Sequence, residues 1–297
     1  MIRRIKIKWF SDIEKKMQEL GIGSVAEFFI LYESKNQDMT REEVWNRMAA
    51  VLDTMRNAAN EGSKGINRTP SGMIDGLSAK MREFTSKNLS LIGISFSEIT
   101  SAILAVSEAN ACMKKIAAAP TAGSSGVIPG TLLPIAGAHG IADERLIEAL
   151  FVAGGIGEII SINASISGAM HGCQAEIGSA SAMAAAGLTY MFGGGMDEIE
   201  SAAAFALKNM LGLVCDPVAG LVEIPCIKRN VMGGMNAVLC AEMALAGIRT
   251  VIPLDEAIEA MDFIGRGLPH ELRETSEGGL AVTPTAAAIT KKLKSRK

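Results

Sequence analysis

Residues 40–55 read TREEVWNRMAAVLDTM, and this segment has the clearest helical pattern in the chain. Thr40 and Glu43 match a capping box, in which each side chain bonds to the other residue's backbone. Apolar residues then recur at helical spacing, at Val44, Met48, Val51, Leu52 and Met55. Gly62 is a natural stop signal. The segment therefore predicts an amphipathic helix that ends near Gly62.

Other segments of the chain carry similar helix signals. Ser11 and Ser24 each stand three residues before a glutamate, which predicts two more capping boxes. Thr283 followed by Pro284 is typical of a helix start. Further helices are expected over about 97–119, 143–153, 197–209, 231–246, 255–266 and 285–293. These signals together predict a mostly α protein.

The composition agrees with closely packed helices. The 297 residues are 48% hydrophobic but only 4% aromatic, and they include 31 glycines and 17 methionines. Sheets prefer aromatic and β-branched residues, which argues against a β fold. We expect an N-terminal arm with a short helix over 1–23 and a helical domain over 24–297. The stretch 63–76, rich in Gly, Ser, Asn and Pro, is a potential subdomain boundary.

Charge and apolar patterning exclude several classes of partner. A net charge of −3 leaves no basic footprint for nucleic acid. The uncharged stretches 116–142 and 177–196 are interrupted by Pro, Gly and Ser, so we expect buried helices and no membrane partner. The five cysteines are odd in number and no secretory signal precedes them, which favours a reduced, cytoplasmic location over a disulfide framework.

Three cysteines lie in segments that favour metal binding. Cys173 lies in HGCQAEIG, and Cys215 and Cys226 bound CDPVAGLVEIPC. Glycine, proline and small residues allow the backbone to approach a bulky inorganic group closely. Three thiolates without a fourth point to an iron–sulfur cluster, although the spacing alone leaves zinc open. Cys112 and Cys240 lie in helical patterns and are expected to be structural.

The same segments closely resemble those of the iron–sulfur-dependent bacterial L-serine dehydratases, most strongly the α chain of the two-subunit form. The matching motifs are GCQAEIGSA at 172–180, GLVCDP at 212–217 and PCIKRN at 225–230, and PTAGSSG at 120–126 belongs to the same pattern. The resemblance covers nearly the whole chain from about Ser24. It is most specific between Pro120 and Asn230.

The resemblance implies a helical lyase with a four-iron four-sulfur cluster held by Cys173, Cys215 and Cys226. One iron would then lack a protein thiolate and be open to act as a Lewis acid on the β-hydroxyl of L-serine. Loss of water from L-serine would give aminoacrylate, which collapses to pyruvate and ammonia. The implied activity is that of an L-serine ammonia-lyase.

The resemblance also guides the choice of substrate-binding residues. The candidates are donors in the small-residue loop and two basic residues beside a cysteine: Thr121, Ser124, Ser125, Gly126, Lys228 and Arg229. Their hydroxyl, N–H and cationic groups could hold the substrate carboxylate. An ordinary loop and a solvated basic pair are the competing interpretations, and the basic pair could instead neutralise the cluster.

No residue is assigned as the base that removes the Cα proton. His171 lies two residues before Cys173 and is a candidate for proton transfer. The commoner role of such a histidine is structural, with its ring hydrogen-bonded to the backbone. Glu176 follows Cys173 by three residues and could share its helical face. A helix-capping or other structural role for Glu176 is an equal alternative. Single-chain relatives carry an additional domain ahead of the catalytic one, whereas this chain is expected to pass directly from a short arm into the catalytic-type segments. We therefore expect a separate β chain that either completes the active site or carries a regulatory domain.

Three other functions compete with this interpretation. Lys64 between Ser63 and Gly65 superficially fits a pyridoxal phosphate enzyme, but no strand–helix pattern or phosphate cradle surrounds it, so that cofactor is not expected. An L-cysteine desulfidase of the same superfamily would use the same cluster. A non-catalytic helical interaction protein would use the three cysteines to bind zinc.

Overall fold

A computed structural model describes residues 4–65, 68–91 and 93–295. Within these ranges the chain forms thirteen α-helices and no strand, which confirms the mostly α prediction. The helices are α1 Ser11–Leu20, α2 Val25–Gln37, α3 Arg41–Ser63, α4 Leu77–Ser86, α5 Ile94–Ala111, α6 Val127–Ala138, α7 Asp143–Asn163, α8 Gly168–His171, α9 Ser179–Met191, α10 Met196–Lys208, α11 Cys226–Leu245, α12 Leu254–Gly267 and α13 Pro284–Lys294.

Helix α3 begins with the predicted capping box. The Glu43 N–H donates to Thr40 Oγ1 at 3.2 Å, and the Thr40 N–H donates to Glu43 Oε2 at 2.8 Å. The helix ends at Ser63, one residue after the expected stop. Thr283 likewise caps α13 through the Ala286 N–H.

The other two predicted capping boxes are wrong, although both helices begin close to the expected residues. Ser11 is the first residue of α1, and the Asp12 carboxylate accepts the N–H groups ahead of the helix. Ser24 precedes α2, but its hydroxyl lies 3.2 Å from Tyr190 Oη and caps nothing. A local carboxylate and a tertiary partner replace the expected caps.

Two helix ends differ from the sequence prediction. Helix α5 ends at Ala111, and Met113 takes a left-handed conformation at φ 60°. The chain then reaches Pro120 without regular structure, which frees the small-residue loop from the helix. Helix α7 instead runs to Asn163, ten residues beyond its expected end.

Helix α9 lies at the centre of the molecule. All of its residues are buried, and it packs against α6, α7, α10 and α11. Its serines, alanines and glycine permit close approach: a Cβ on Gly187 would lie 3.1 Å from the Ala149 carbonyl oxygen. The expectation of buried helices in the uncharged stretches is confirmed for α9. Among the described residues, only α7 is long and apolar enough to span a membrane, and 67% of its most apolar window is buried.

One hydrophobic core joins the N-terminal arm to the helices that follow. Ile7 and Phe10 of the arm belong to the same cluster as Met261 of α12. Phe28 and Phe29 pack edge to face at 5.5 Å, and burying each contributes about 1.5–3 kcal/mol. The subdomain boundary over 63–76 stays a prediction.

Candidate metal centre and active site

Cys173 lies at the junction between α8 and α9. Gly172 ends α8 at φ 75°, a conformation that favours glycine, and a π-helical turn over Gln174–Gly178 then leads into α9. Turns of this kind are frequent at functional sites. The junction buries Cys173 to 2% exposure beside the start of the central helix.

Cys215 and Cys226 are positioned by the connection between α10 and α11. The Cys215 N–H donates to the Leu272 carbonyl at 2.9 Å, and its carbonyl accepts from the Glu274 N–H at 2.7 Å. These two bonds hold Cys215 against the C-terminal part of the chain. Cys226 is the first residue of α11 and is also buried.

The structure brings two of the three predicted cysteine ligands together beside Glu176. A carboxylate oxygen of Glu176 and the Sγ atoms of Cys173 and Cys215 all lie within 4.8 Å of one another. Cys226 is outside this tight group. Arg229, one turn later on α11, places its Nη1 3.6 Å from Cys173 Sγ, so the start of α11 lies beside Cys173.

The surroundings of the sulfur atoms fit a metal group. A Cβ on Gly168 would lie 2.8 Å from Glu176 Oε2 and 3.1 Å from Cys215 Sγ, so only glycine leaves this space open.

All five cysteines are free of disulfides. Burial raises the pKa of Cys226 to about 12, and a hydrogen bond with Cys173 together with burial raises the pKa of Cys215. Bound metal would be needed to hold these thiols as thiolates. Three soft sulfur donors therefore fit an iron–sulfur cluster or a zinc ion.

Glu176 is a candidate functional residue to which the sequence assigned no role. Burial raises the pKa of its carboxyl to about 7, and the charge of Glu274 acts in the same direction. The Thr121 hydroxyl acts on this pKa in the opposite direction, and a Cβ on Gly123 would lie 3.3 Å from Glu176 Oε1. In the sequence, only the three-residue spacing from Cys173 pointed to Glu176. The fold shows that Glu176 lies between the cysteine sulfurs and the small-residue loop.

The small-residue loop over 120–126 forms the other wall of the site. Ser124 is buried, and its Oγ lies 3.1 Å from Thr121 Oγ1 and within reach of the Thr121 N–H at 3.4 Å. Ser125 is also buried. In the described part of the chain, the N–H groups of Ala122 and Gly123 have no hydrogen-bond acceptor. They therefore lie free just before the N-terminus of α6.

Asn230 joins this loop to α11. Its Oδ1 accepts the Gly126 N–H at 3.1 Å, and its Nδ2 donates to the Gly123 carbonyl at 2.7 Å and the Cys226 carbonyl at 3.0 Å. The Gly126 N–H is thus used inside the protein. Asn230 stood in the recognised motif, but nothing in the sequence indicated its partner 104 residues away.

The two basic residues of the motif point to different surroundings. Lys228 is exposed and lines a groove with Leu77 and Val231, between α4, α5 and α11. Arg229 is largely buried at the cysteines, where its Nη1 lies 2.7 Å from the Val214 carbonyl. Only Arg229 of this pair is therefore seen to contact a cysteine.

His171 is buried against α12. Its ring packs on Gly265, and its Nδ1 lies 3.7 Å from Asp262 Oδ1, too far for a hydrogen bond. Burial lowers its pKa. Asp262 is held in turn by Arg266 at 2.8 Å. His171 thus packs between the cysteine junction and α12.

Comparison with known proteins agrees with this arrangement. Residues 19–281 match the family model described as serine dehydratase alpha chain. The chain is 45% identical over 287 residues to the probable L-serine dehydratase, alpha chain, of Bacillus subtilis, covering 97% of this chain and 94% of that protein.

Two further relatives define the extent of the match. The L-serine dehydratase, alpha chain, of Peptoniphilus asaccharolyticus is 40% identical over 271 residues, covering 91% of this chain and 92% of the relative. L-serine dehydratase 1 of Escherichia coli is 36% identical over 258 residues, covering 85% of this chain but 55% of the longer relative. The family model and these near full-length matches show that the chain belongs to the serine dehydratase alpha chain family.

Proposed function

We propose that this chain is the catalytic α chain of an L-serine dehydratase that converts L-serine to pyruvate and ammonia. The observation that carries the proposal is the convergence of the cysteines with Glu176 at the wall of the small-residue loop, in a chain with these relatives. Cys173, Cys215 and Cys226 would hold a four-iron four-sulfur cluster. Such a cluster supplies, when bound, an iron without a protein thiolate that acts as a Lewis acid on the β-hydroxyl.

The small-residue loop is proposed to bind the substrate carboxylate. The free N–H groups of Ala122 and Gly123 precede α6, and the positive end of a helix favours an anion. The hydroxyls of Thr121 and Ser124 complete the loop, and Ser125 and Gly126 shape its return into α6. This arrangement would place Cβ of the substrate toward Glu176.

Glu176 is proposed to hold the proton that leaves with the β-hydroxyl. Its pKa of about 7 keeps a large fraction of the carboxyl protonated at neutral pH. Transfer of that proton from a carboxyl oxygen releases the hydroxyl as water, while loss of the Cα proton supplies the electron pair of the new double bond. The resulting aminoacrylate then hydrolyses to pyruvate and ammonia.

The base for the Cα proton is proposed to lie on a separate β chain. His171, the one candidate in this chain, packs against α12, and its Nδ1 makes no hydrogen bond in the described structure. Two of the relatives reported above, which match over more than 90% of both chains, are named alpha chains. Their names support a second subunit. The free cysteines are consistent with a proposed cytoplasmic location, where thiols stay reduced.

Metal analysis of anaerobically purified protein tests the proposed cofactor. We expect iron and acid-labile sulfide in equal amounts, as a four-iron four-sulfur cluster requires. Stoichiometric zinc without sulfide would favour the zinc-binding interpretation, because the tight group of Cys173, Glu176 and Cys215 also suits a single ion. Release of sulfide from L-cysteine in place of pyruvate from L-serine would favour the desulfidase.

A further inference from the structure

Arg229 is anchored at the cysteines by one carbonyl acceptor and one ion pair. Its Nη1 lies 2.7 Å from the Val214 carbonyl oxygen, 2.9 Å from Asp216 Oδ1 and 3.6 Å from Cys173 Sγ. The side chain is only 14% exposed. Because a single nitrogen meets all three groups, the position of the guanidinium relative to the sulfur is tightly fixed.

Asp216 is itself held in place by the C-terminal part of the chain. Its side chain is 3% exposed, and its Oδ2 accepts the Leu280 N–H at 2.8 Å. A Cβ on Gly279 would lie 2.4 Å from the same oxygen, so only glycine allows this approach. The Leu280 N–H therefore holds the carboxylate beside Arg229.

A fixed cation beside a cysteine sulfur has a definite chemical effect. Three buried thiolates carry negative charge in a region of low polarity, which is costly unless nearby donors or cations offset it. An N–H donor and a positive charge at the sulfur lower that cost. Hydrogen bonds to the sulfurs also raise the reduction potential of an iron–sulfur cluster.

We propose that Arg229, held by Asp216, is a positioning residue for the Cys173 sulfur and sets how firmly the centre retains its cluster. The inference rests on the proposed function. It assigns the guanidinium to a cysteine ligand and not to the substrate carboxylate, whose binding is left to the loop over 120–126. Replacing Arg229 should therefore alter the cluster before it alters affinity for L-serine.

The test compares three variants after anaerobic reconstitution with iron and sulfide, in the presence of the β chain. Arg229→Gln removes the charge, and Arg229→Lys keeps it but cannot reproduce the planar fork of donors. Lys228→Gln is the matched control, because it makes the same charge change at the neighbouring exposed residue. Iron and sulfide content, loss of visible absorbance under a chelator, reduction potential and KM for L-serine are measured for each.

We expect Arg229→Gln to lose its cluster about 10–100-fold faster than the wild type, the usual effect of removing a partner of a metal ligand. Its reduction potential should become more negative, while KM for L-serine stays unchanged. Arg229→Lys should be intermediate, and Lys228→Gln should match the wild type in cluster retention and reduction potential.

Wild-type cluster retention and potential in Arg229→Gln, with a raised KM, would overturn the inference in favour of carboxylate binding. An equal loss in Lys228→Gln would also overturn it. If Arg229→Gln takes up no cluster, Arg229→Lys decides, and wild-type retention and potential in that variant would refute the role. A wild-type protein without iron and sulfide would instead refute the proposed function itself.

Discussion

At the scale of single residues, the site depends on side chains whose partners lie far apart in the sequence. Cys173, Glu176 and Cys215 meet within 4.8 Å, although the α9 and α10 helices separate the first two from the third. Each cysteine has a backbone position fixed by a turn, a helix start or a bond to another segment. Substitution of individual residues should therefore separate ligands from structural cysteines.

Replacing Cys173, Cys215 or Cys226 individually with Ser should remove most of the bound iron and sulfide and abolish activity, because a hydroxyl is a poor iron ligand. The same change at Cys112 or Cys240 should be mild. Iron and sulfide analysis after reconstitution, with thermal unfolding as a check on folding, measures the difference. Equal losses at all five positions would contradict the assignment of three ligands.

Glu176→Gln should lower kcat by about 10²–10⁴-fold while the protein keeps its iron and sulfide, since an amide cannot donate the proton. The carboxyl is protonated below a pKa of about 7 and ionised above it. Activity that needs the protonated form therefore falls as the pH rises through about 7, and negative thiolates nearby shift this limb upward.

The pH profile of kcat, recorded for wild type and Glu176→Gln, checks this role. The descending limb should be absent from the variant. An unchanged descending limb, or wild-type kcat in the variant, would show that another group carries the proton. Metal content measured on the same samples separates a lost proton donor from a lost cluster.

The sequence indicated some of these residues and not others, for a physical reason. Cysteines in glycine-rich segments are conspicuous because metal chemistry needs thiolates and open backbone together. The roles of Asp216 and Asn230 could not be predicted, because their partners Leu280 and Gly126 lie 64 and 104 residues away. Only the packed fold brings such pairs together.

At the scale of elements, close helix packing depends on small residues at the crossings. Helix α2 lies against α7, where a Cβ on Gly155 would lie 2.2 Å from the ring of Phe29. The neighbouring Gly154 has no atom within 4 Å of the same position. Gly154 therefore serves as a control for a substitution at Gly155, because the two glycines are adjacent in one helix and only Gly155 contacts Phe29.

Gly155→Ala should destabilise the protein by about 1–3 kcal/mol, because the buried Phe29 ring has to shift. Gly154→Ala should be neutral or stabilise it by about 0.4–1 kcal/mol, because alanine reduces the freedom of the unfolded chain. Urea unfolding of both variants gives the difference in free energy of unfolding. Equal effects would mean that α2 and α7 do not pack as described.

Helix starts were more predictable than helix ends and side-chain caps. The Thr40 capping box depends only on residues three apart and formed as expected. The Ser24 hydroxyl instead meets Tyr190, a tertiary partner that local patterns do not indicate. The early end of α5 at Ala111 likewise frees the small-residue loop, and no helix-breaking residue marks that end.

At the scale of the whole molecule, the cysteine centre is tied to segments from both halves of the chain. Glu223, between Cys215 and Cys226, accepts the hydroxyls of Thr69 at 2.6 Å and Ser71 at 2.7 Å from the loop over 63–76. The C-terminal segment holds Cys215 and Asp216 from the other side. The centre is therefore assembled by the complete fold, and the proposed β chain would add the missing base.

Pyruvate release from L-serine by the anaerobically reconstituted α chain, recorded with the visible spectrum and with or without the β chain, tests the central claim most directly. We predict pyruvate formation that rises in proportion to cluster absorbance and requires the β chain. A colourless zinc protein that leaves L-serine unchanged in the presence of the β chain would contradict the account.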